Sequence, residues 1–404
     1  MSAGETAAAR RGTAAEVFAA FLKLGLTSFG GPIAHLGYFR DEFVTRRKWL
    51  SEQEYADLVA LSQFLPGPAS SQTGFALGLM RASWLGALAA FIAFTLPSAL
   101  ALVIFAYGAG TIAGPVGTGI IDGLKIVAVA IIAHAVWGMA QALCPDRQRA
   151  TIAVAAVVIV FASAGPLGQV GAIVAGGVAG LVLGAGPSQP VTGRILFKVP
   201  RRVGVACLVA FAGLLAGLPV LAALTDTQAV AVVDSFYRAG ALVFGGGHVV
   251  LPLLQAEVVQ PGWIGPDDFL AGYGAAQAVP GPLFTFAAYL GVLLGPEPGG
   301  LVGAAIAVSV IFLPGFLLLV GVLPFWDDFR QYAAAQALMR GVNAAVVGIL
   351  GAALYDPVFT SAILAPGDFA LALICFVGLA AWKLPPWAVV IIAGLGGAAL
   401  ALIA

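Results

Sequence analysis

Long apolar runs separated by short polar breaks dominate the chain, at about 84–110, 117–143, 150–164, 167–186, 203–222, 301–324, 334–354, 361–381 and 387–404. Each is long enough, or nearly so, for the ~20 residues a helix needs to cross a bilayer. The run at 150–164 is the weakest, because it is short and Gly165-Pro166 follows directly. No segment shows the period-two alternation between turns that a membrane barrel requires. The pattern predicts an all-α integral membrane protein.

Composition agrees. Of 404 residues, 61% are hydrophobic and only 9% charged, too little polar surface to keep a globule of this size in water. The formal net charge is zero, so charge points to no nucleic acid or other soluble partner. Cys144, Cys207 and Cys375 are far apart and the three histidines are isolated. A disulfide framework, a metal cluster and a haem site are therefore not expected. In the polar, alanine-rich segment 1–13, Arg10-Arg11 is not followed by the apolar core and small-residue cleavage site of a signal peptide. It reads as a cytoplasmic tail.

The chain contains itself twice, displaced by about 215 residues. Phe29-Gly30-Gly31 returns as Phe244-Gly245-Gly246, Glu42 as Glu257, Trp49 as Trp263, Gln63 as Gln277 and Pro66-Gly67-Pro68 as Pro280-Gly281-Pro282. Leu96-Pro97 meets Leu313-Pro314, and Gly123 meets Gly341. Such internal duplication is typical of secondary transporters. We divide the chain into a first repeat at 14–186, a basic loop and linker helix at 187–228, and a second repeat at 229–404. The run at 203–222 has no counterpart in the first half.

Basic residues orient the halves. Arg40, Arg46, Arg47, Lys48, Arg81, Arg147, Arg149, Arg194, Lys198, Arg201 and Arg202 all belong on the cytoplasmic side by the positive-inside rule. That requires the stretches at about 14–45 and 53–81 to enter and leave on one side, as re-entrant hairpins tipped by Gly30-Gly31-Pro32 and Pro66-Gly67-Pro68. The linker helix then turns the second half over, so that Gln255–Asp268, which carries Glu257, Asp267 and Asp268 and no basic residue, lies outside. Arg330 and Lys383 return to the cytoplasm. The expected architecture is two inverted repeats with about nine full crossings and four broken-helix hairpins. The alternative is parallel halves, with 14–36 a full crossing.

A broken helix inside a bilayer leaves backbone groups that only protein, water or a substrate can satisfy. After Pro66-Gly67-Pro68 a new half-helix begins, with Ser70 and Ser71 at capping positions and Gln72 beyond. Its free N–H groups, dipole and hydroxyls suit an anion, and Gly67 lets it approach the backbone. The same holds for Gly30-Gly31-Pro32 before His35, for Gly245-Gly246-Gly247 before His248, and for Pro280-Gly281-Pro282 before Thr285. Four helix starts converging near the midplane suit a compact oxyanion. Against this stands the ordinary use of Gly and Pro for packing and kinks, the reading preferred for Pro97 and Pro314. Gly176 to Gly180 is a weak packing signal.

Lys23, Asp122, Lys125, Arg238 and Arg340 sit where a lipid-facing charge is expensive, and are candidates for charge coupling. Asp122 and Lys125 share a helical face and can neutralise each other. Lys23 and Arg238 each precede a glycine motif and are expected to bring a cation toward a tip, with snorkelling to the interface as the alternative. His35 and His248 are candidate proton carriers.

"FGGPIAHLGYFRDEFVTRRKWL", "QFLPGPASSQ" and "FTLPSA" in the first half, with "FGGGHVVLPLL" and "QAVPGPLF" in the second, resemble the long two-domain form of the chromate ion transporter family. The resemblance covers nearly the whole chain. It implies a bacterial inner-membrane protein that exports chromate and confers resistance to it, with sulfate as the related anion. It implies neither enzyme activity nor a cofactor. The expected partners are chromate or sulfate and the lipid bilayer, with a homodimer left open. A sulfate carrier or anion channel is the alternative. The lack of clustered cysteines, a nucleotide loop or haem ligands argues against a chromate-reducing enzyme.

Overall fold

The computed structural model describes residues 12–110, 114–163, 165–183, 199–225, 227–295, 298–326 and 332–403. Among these residues it is helical, with no strand. The first half comprises α1 (Ala14–Thr27), α2 (Gly31–Phe39), α3 (Glu52–Phe64), α4 (Ala69–Ala109), α5 (Gly114–Leu143), α6 (Arg147–Ala162) and α7 (Pro166–Leu183). A linker, α8 (Arg201–Thr225), leads to α9 (Gln228–Ala241), α10 (Val250–Leu254), α11 (Pro266–Ala276), α12 (Phe286–Leu293), α13 (Gly300–Val322), α14 (Ala333–Ala353), α15 (Pro366–Ala380) and α16 (Pro386–Ile403). Seven helices among the described residues are long and apolar enough to cross a membrane, and α6 and α15 are shorter, at 16 and 15 residues. The chain is a multi-pass membrane protein. Arg10, Arg11, Arg194, Lys198 and Arg330 lie outside the described residues.

The glycine breaks are reversals. Gly30 and Gly31 sit at φ +104° and +78°, a region open to glycine, and the chain turns back on itself there. In one straight helix Lys23 and Glu42 would stand about 28 Å apart. Instead Lys23 Nζ lies 3.0 Å from Glu42 Oε2, and Phe21 stacks on Phe43 with centroids 4.8 Å apart. The second half repeats the device: beyond Gly245 and Gly246, Arg238 meets Glu257 at 2.8 Å.

A second hairpin joins α3 to the start of α4. Ser51 and Glu54 form a capping box that starts α3, and Gly67 at φ +117° makes the turn. Helix α4 is not one crossing of 41 residues, because Ala82 and Ser83 leave helical geometry and the chain doubles back. Gly78 and Gly86 touch there, so closely that a Cβ on either would come 2.3 Å from the other's carbonyl oxygen. Gly291 and Gly303 make the equivalent contact between α12 and α13.

Helix polarity shows the inversion. Short connections make α5, α6 and α7 alternate in direction, so α5 and α7 run the same way. Helix α16 is the repeat counterpart of α7, yet it runs antiparallel to α5: Gly119 lies on Gly397 and Ala398, and Gly123 on Ala393 and Gly394. Likewise α7 runs antiparallel to α14, with Gly176 on Gly341 and Ala345 and Gly180 on Ala337. The second half is therefore upside down relative to the first. These contacts are backbone to backbone, the close approach that small residues permit in membranes. A Cβ on Gly341 would stand 2.1 Å from the Gly176 oxygen. The spacing of Gly176 and Gly180, a faint signal in the sequence, builds half of the clasp between the repeats. Helix α8 packs on α13 through Gly204 and Gly321 and leaves most of its surface exposed.

Candidate functional site

The four breaks meet. The Gly67 N–H donates to the Val243 carbonyl at 2.7 Å, and the Gly281 N–H donates to the Ser28 carbonyl at 2.9 Å. Ser28 and Val243 are repeat equivalents, as are Gly67 and Gly281, so this is one contact made twice, as a two-fold relation demands. Gly247 packs on its own equivalent, Pro32, a Cβ on Gly247 falling 3.2 Å from the proline ring. The pseudo-two-fold axis passes there. Gly30, Gly31, Pro66, Pro68, Gly245, Gly246, Pro280 and Pro282 flank these contacts.

The tips also seat on helices of the opposite half. Gly67 lies against Gly315 and Gly281 against Ser98 and the Phe94 carbonyl. Gln72 fastens the first of these, its Nε2 donating to the Pro66 carbonyl at 3.0 Å and the Gly315 carbonyl at 2.9 Å. Ser98 and Gly315 each follow the helical proline of their half, Pro97 or Pro314. Sequence reading took those prolines as kinks and missed the seats beside them. The repeat offset was the signal available, since it makes Ser98 and Gly315 equivalent.

Chemistry, unlike geometry, is lopsided. Ser28, His35, Ser70, Ser71, Gln72, Thr73, Thr95 and Ser98 are all buried in the first half. Their second-half equivalents are Val243, Val250, Phe284, Thr285, Phe286, Ala287, Phe312 and Gly315, almost entirely apolar. His35 Nδ1 stands 3.3 Å from the Ser70 hydroxyl. His35 Nε2, Gln72 Oε1 and the hydroxyls of Ser28, Ser71, Thr73 and Thr95 are buried without a hydrogen-bond partner among the described residues. Unpaired buried polar atoms cost about 1–3 kcal/mol each, so several together call for a reason.

Local geometry departs from expectation at several positions. Pro68, not a serine, holds the cap position of α4, and Ser70 and Ser71 stand inside its first turn. Thr285 spends its hydroxyl on the Pro282 carbonyl at 2.7 Å. His248 pairs with the Tyr273 hydroxyl at 2.7 Å, and its repeat equivalent is Ile33 rather than His35. Helices α10 and α12 each begin with a 3₁₀ turn, Gly247–Val249 and Leu283–Thr285, in which early N–H groups are already bonded.

The cations are not at the tips. Lys23 joins Arg46 and Arg47 around the buried Glu42. Arg238 bonds Asp234 and Glu257. Each hairpin thus neutralises its charge across its own limbs, because an unpaired charge in this setting is costly. Asp122 and Lys125 pair at 2.7 Å, and Lys125 also reaches Asp267 of α11 at 3.3 Å. Asp267, more than a hundred residues away, was invisible to helical spacing. Arg340 is partly buried, with no carboxylate partner among the described residues.

No solved structure matches the chain. The chromate transport protein of Pseudomonas aeruginosa is 30% identical over 399 residues, covering 95% of this chain and 91% of its own. A probable chromate transport protein of Synechococcus elongatus is 29% identical over 83% of this chain and 82% of its own, and the chromate transport protein of Cupriavidus metallidurans 26% identical over 83% and 80%. The chromate transporter family profile matches twice, at residues 15–181 and 230–398, once on each side of α8. With both inverted halves matched and a relative aligned along nearly its whole length, the chain belongs to the chromate transporter family.

Proposed function

We propose that this protein is a secondary transporter that exports chromate across the bacterial inner membrane, binding the dianion at the meeting of the four chain breaks. The observation that carries the reading is the presence in the first half of buried groups that can donate and have no partner among the described residues, His35 Nε2 and the Ser71 hydroxyl, with the His35 ring set beside Ser70 in the first turn of α4. A tetrahedral oxyanion offers acceptors in several directions, and the early N–H groups of α4, with Ser70, Ser71 and the His35 ring, offer donors. Of the matching second-half positions Val250, Phe284 and Phe286 are apolar and Thr285 spends its hydroxyl on the Pro282 carbonyl, so the anion is held by one half of a symmetric frame. The groups are buried in this conformation, and binding accompanies a movement of the hairpins.

An inside-negative potential assists export of an anion by about 2.3 kcal/mol per charge per 100 mV. Uniport is therefore sufficient energetically, and proton coupling through His35 is an addition to it. Sulfate has the same charge and shape and is the second reading. Chromate flux into inverted vesicles, with sulfate as competitor and the potential and pH gradient set independently, tests the proposal. Flux without change in chromium oxidation state supports it, and reduction of chromate by sealed vesicles of the pure protein overturns it.

A further inference from the structure

The carboxamide of Gln72 is half satisfied. Its nitrogen donates to the Pro66 carbonyl at 3.0 Å and to the Gly315 carbonyl at 2.9 Å, which uses both N–H bonds. Carbonyls only accept, so these contacts fix which end of the amide is nitrogen: the flipped amide would press oxygen against two oxygens. Oε1 is thereby turned away from both carbonyls. It is buried without a donor among the described residues, in a side chain that is itself wholly buried. The residue closes the first turn of α4, its backbone N–H donating to the Pro68 carbonyl at 2.9 Å. Its side chain leans back over the break, where a Cβ on Gly67 would fall 3.1 Å from Nε2 and 3.5 Å from Cδ.

Seating a tip does not require such an amide. At the equivalent seat, where Gly281 lies on Ser98 and the Phe94 carbonyl, the position of Gln72 is held by Phe286, which is fully buried and apolar. A buried oxygen left without a donor is destabilising, and an apolar side chain avoids that loss. A fully ionised tetrahedral oxyanion cannot supply the donor, because it presents acceptors only and would set lone pairs against Oε1. The same anion carrying one proton presents a hydroxyl that donates.

We propose that Gln72 Oε1 accepts a hydrogen bond from the transported anion, so that the dianion enters the site together with one proton. The inference rests on the reading of an oxyanion site at the breaks and deepens it. Ser71 and His35 serve the unprotonated oxygens of the anion, and Gln72 serves the protonated one. The proton passes from water onto an anion oxygen, stays there during passage and returns to water on the far side; no bond to the protein forms or breaks. One net negative charge then crosses with each anion. Selectivity follows, since chromate regains a proton just below neutral pH and sulfate only in strong acid. Two anions of one charge and shape are told apart by a single acceptor.

Titrating side chains are the competing source of pH dependence. The amide packs on the break at 66–68 and on α13, neither of which carries a titratable residue. Around the same turn, α2 carries His35, 3.3 Å from Ser70, and α3 carries the buried Asp57. Glu16 and Lys23 of α1 are bonded to Arg81 and Glu42, and Tyr289 of α12 to the Asp268 carbonyl.

Titration calorimetry of the full-length protein with chromate and with sulfate, from below neutral to alkaline pH, tests the assignment. Chromate affinity is expected to fall about tenfold per pH unit once free chromate has lost its proton, the slope of one proton taken up. At the acidic end sulfate binds on the order of a hundredfold more weakly. His35→Gln and Asp57→Asn keep the slope. Gln72→Lys, which retains a donor for the Pro66 and Gly315 carbonyls but has no acceptor, loses the slope and binds sulfate as well as chromate. A slope abolished by His35→Gln or Asp57→Asn and kept by Gln72→Lys overturns the inference, as does chromate binding that ignores pH. A second measurement needs no variant: in proteoliposomes at a clamped potential, current divided by chromium flux reads one charge per chromate, and a ratio of two overturns the inference. Failure of the wild-type protein to bind either anion at any pH sinks the oxyanion site itself, and this inference with it.

Discussion

The backbone N–H of Gly67 and the carbonyl of Val243, 2.7 Å apart, tie the second break of the first half to the first break of the other. Gly281 and Ser28 return the contact at 2.9 Å, and together they fix where four interrupted helices meet. Backbone groups freed by breaking a helix in a bilayer need partners, and these two N–H groups find theirs across the repeat, while the Pro66 and Pro282 carbonyls are satisfied by Gln72 and Thr285 of their own halves.

Substitution at these turns tests that dependence. Gly67 and Gly281 have φ of +117° and +101°, and a Cβ would stand 3.1 Å from Gly315 Cα in one case and 2.8 Å from the Ser98 hydroxyl in the other. Gly67→Ala and Gly281→Ala each cost about 1–3 kcal/mol of stability. Thermal unfolding in detergent reads this, and Gly37→Ala, where a Cβ meets nothing within 4 Å, is the neutral control.

The hairpin ion pairs differ in how much they tolerate. Removing Arg238 strands the buried carboxylates of Asp234 and Glu257, whereas removing Lys23 leaves Glu42 with Arg46 and Arg47. Arg238→Gln is expected to cost roughly 3–5 kcal/mol and Lys23→Gln under about 1 kcal/mol. Denaturation of the two purified variants side by side decides it, and equal losses contradict the assignment.

The clasp between repeats depends on helices touching backbone to backbone. Gly341→Leu and Gly123→Leu push side chains into Gly176 and Ala393, so the halves are expected to separate and the folded yield to collapse. Gel filtration and protease sensitivity of the membrane-extracted protein report the outcome.

Chemical asymmetry gives the sharpest test of the anion site. Ser70→Ala with Ser71→Ala is expected to weaken oxyanion binding about ten- to hundredfold, the value of lost hydrogen bonds to a charged ligand. Thr285→Val, which alters the second-half equivalent of Ser71, leaves affinity unchanged. Titration calorimetry with chromate and sulfate compares them; equal effects from both halves refute a one-sided site.

Inverted topology makes a prediction of its own. Cysteines introduced at Ser51 and at Gly265, equivalent positions in the two repeats, are labelled by an impermeant thiol reagent from opposite sides of the membrane. Labelling from one side alone contradicts the inversion.

By itself the sequence determined the membrane class, the duplication, the positions of the four breaks and the odd linker helix. Those features are one-dimensional: apolar length, a fixed offset, prolines and glycines that no uninterrupted helix accommodates. Even the fold-back of 14–45 was legible, because the basic residues on both flanks had to share a side. Tertiary structure alone decided what each break touches. Gly281 on Ser28, Gly274 on Leu124, Lys125 with Asp267 and Gly176 on Gly341 join residues more than a hundred positions apart, and no helical period links such pairs. It also moved Lys23 and Arg238 from the tips to Glu42 and Glu257, since a charge buried in apolar surroundings goes to the nearest opposite charge that the fold brings within reach.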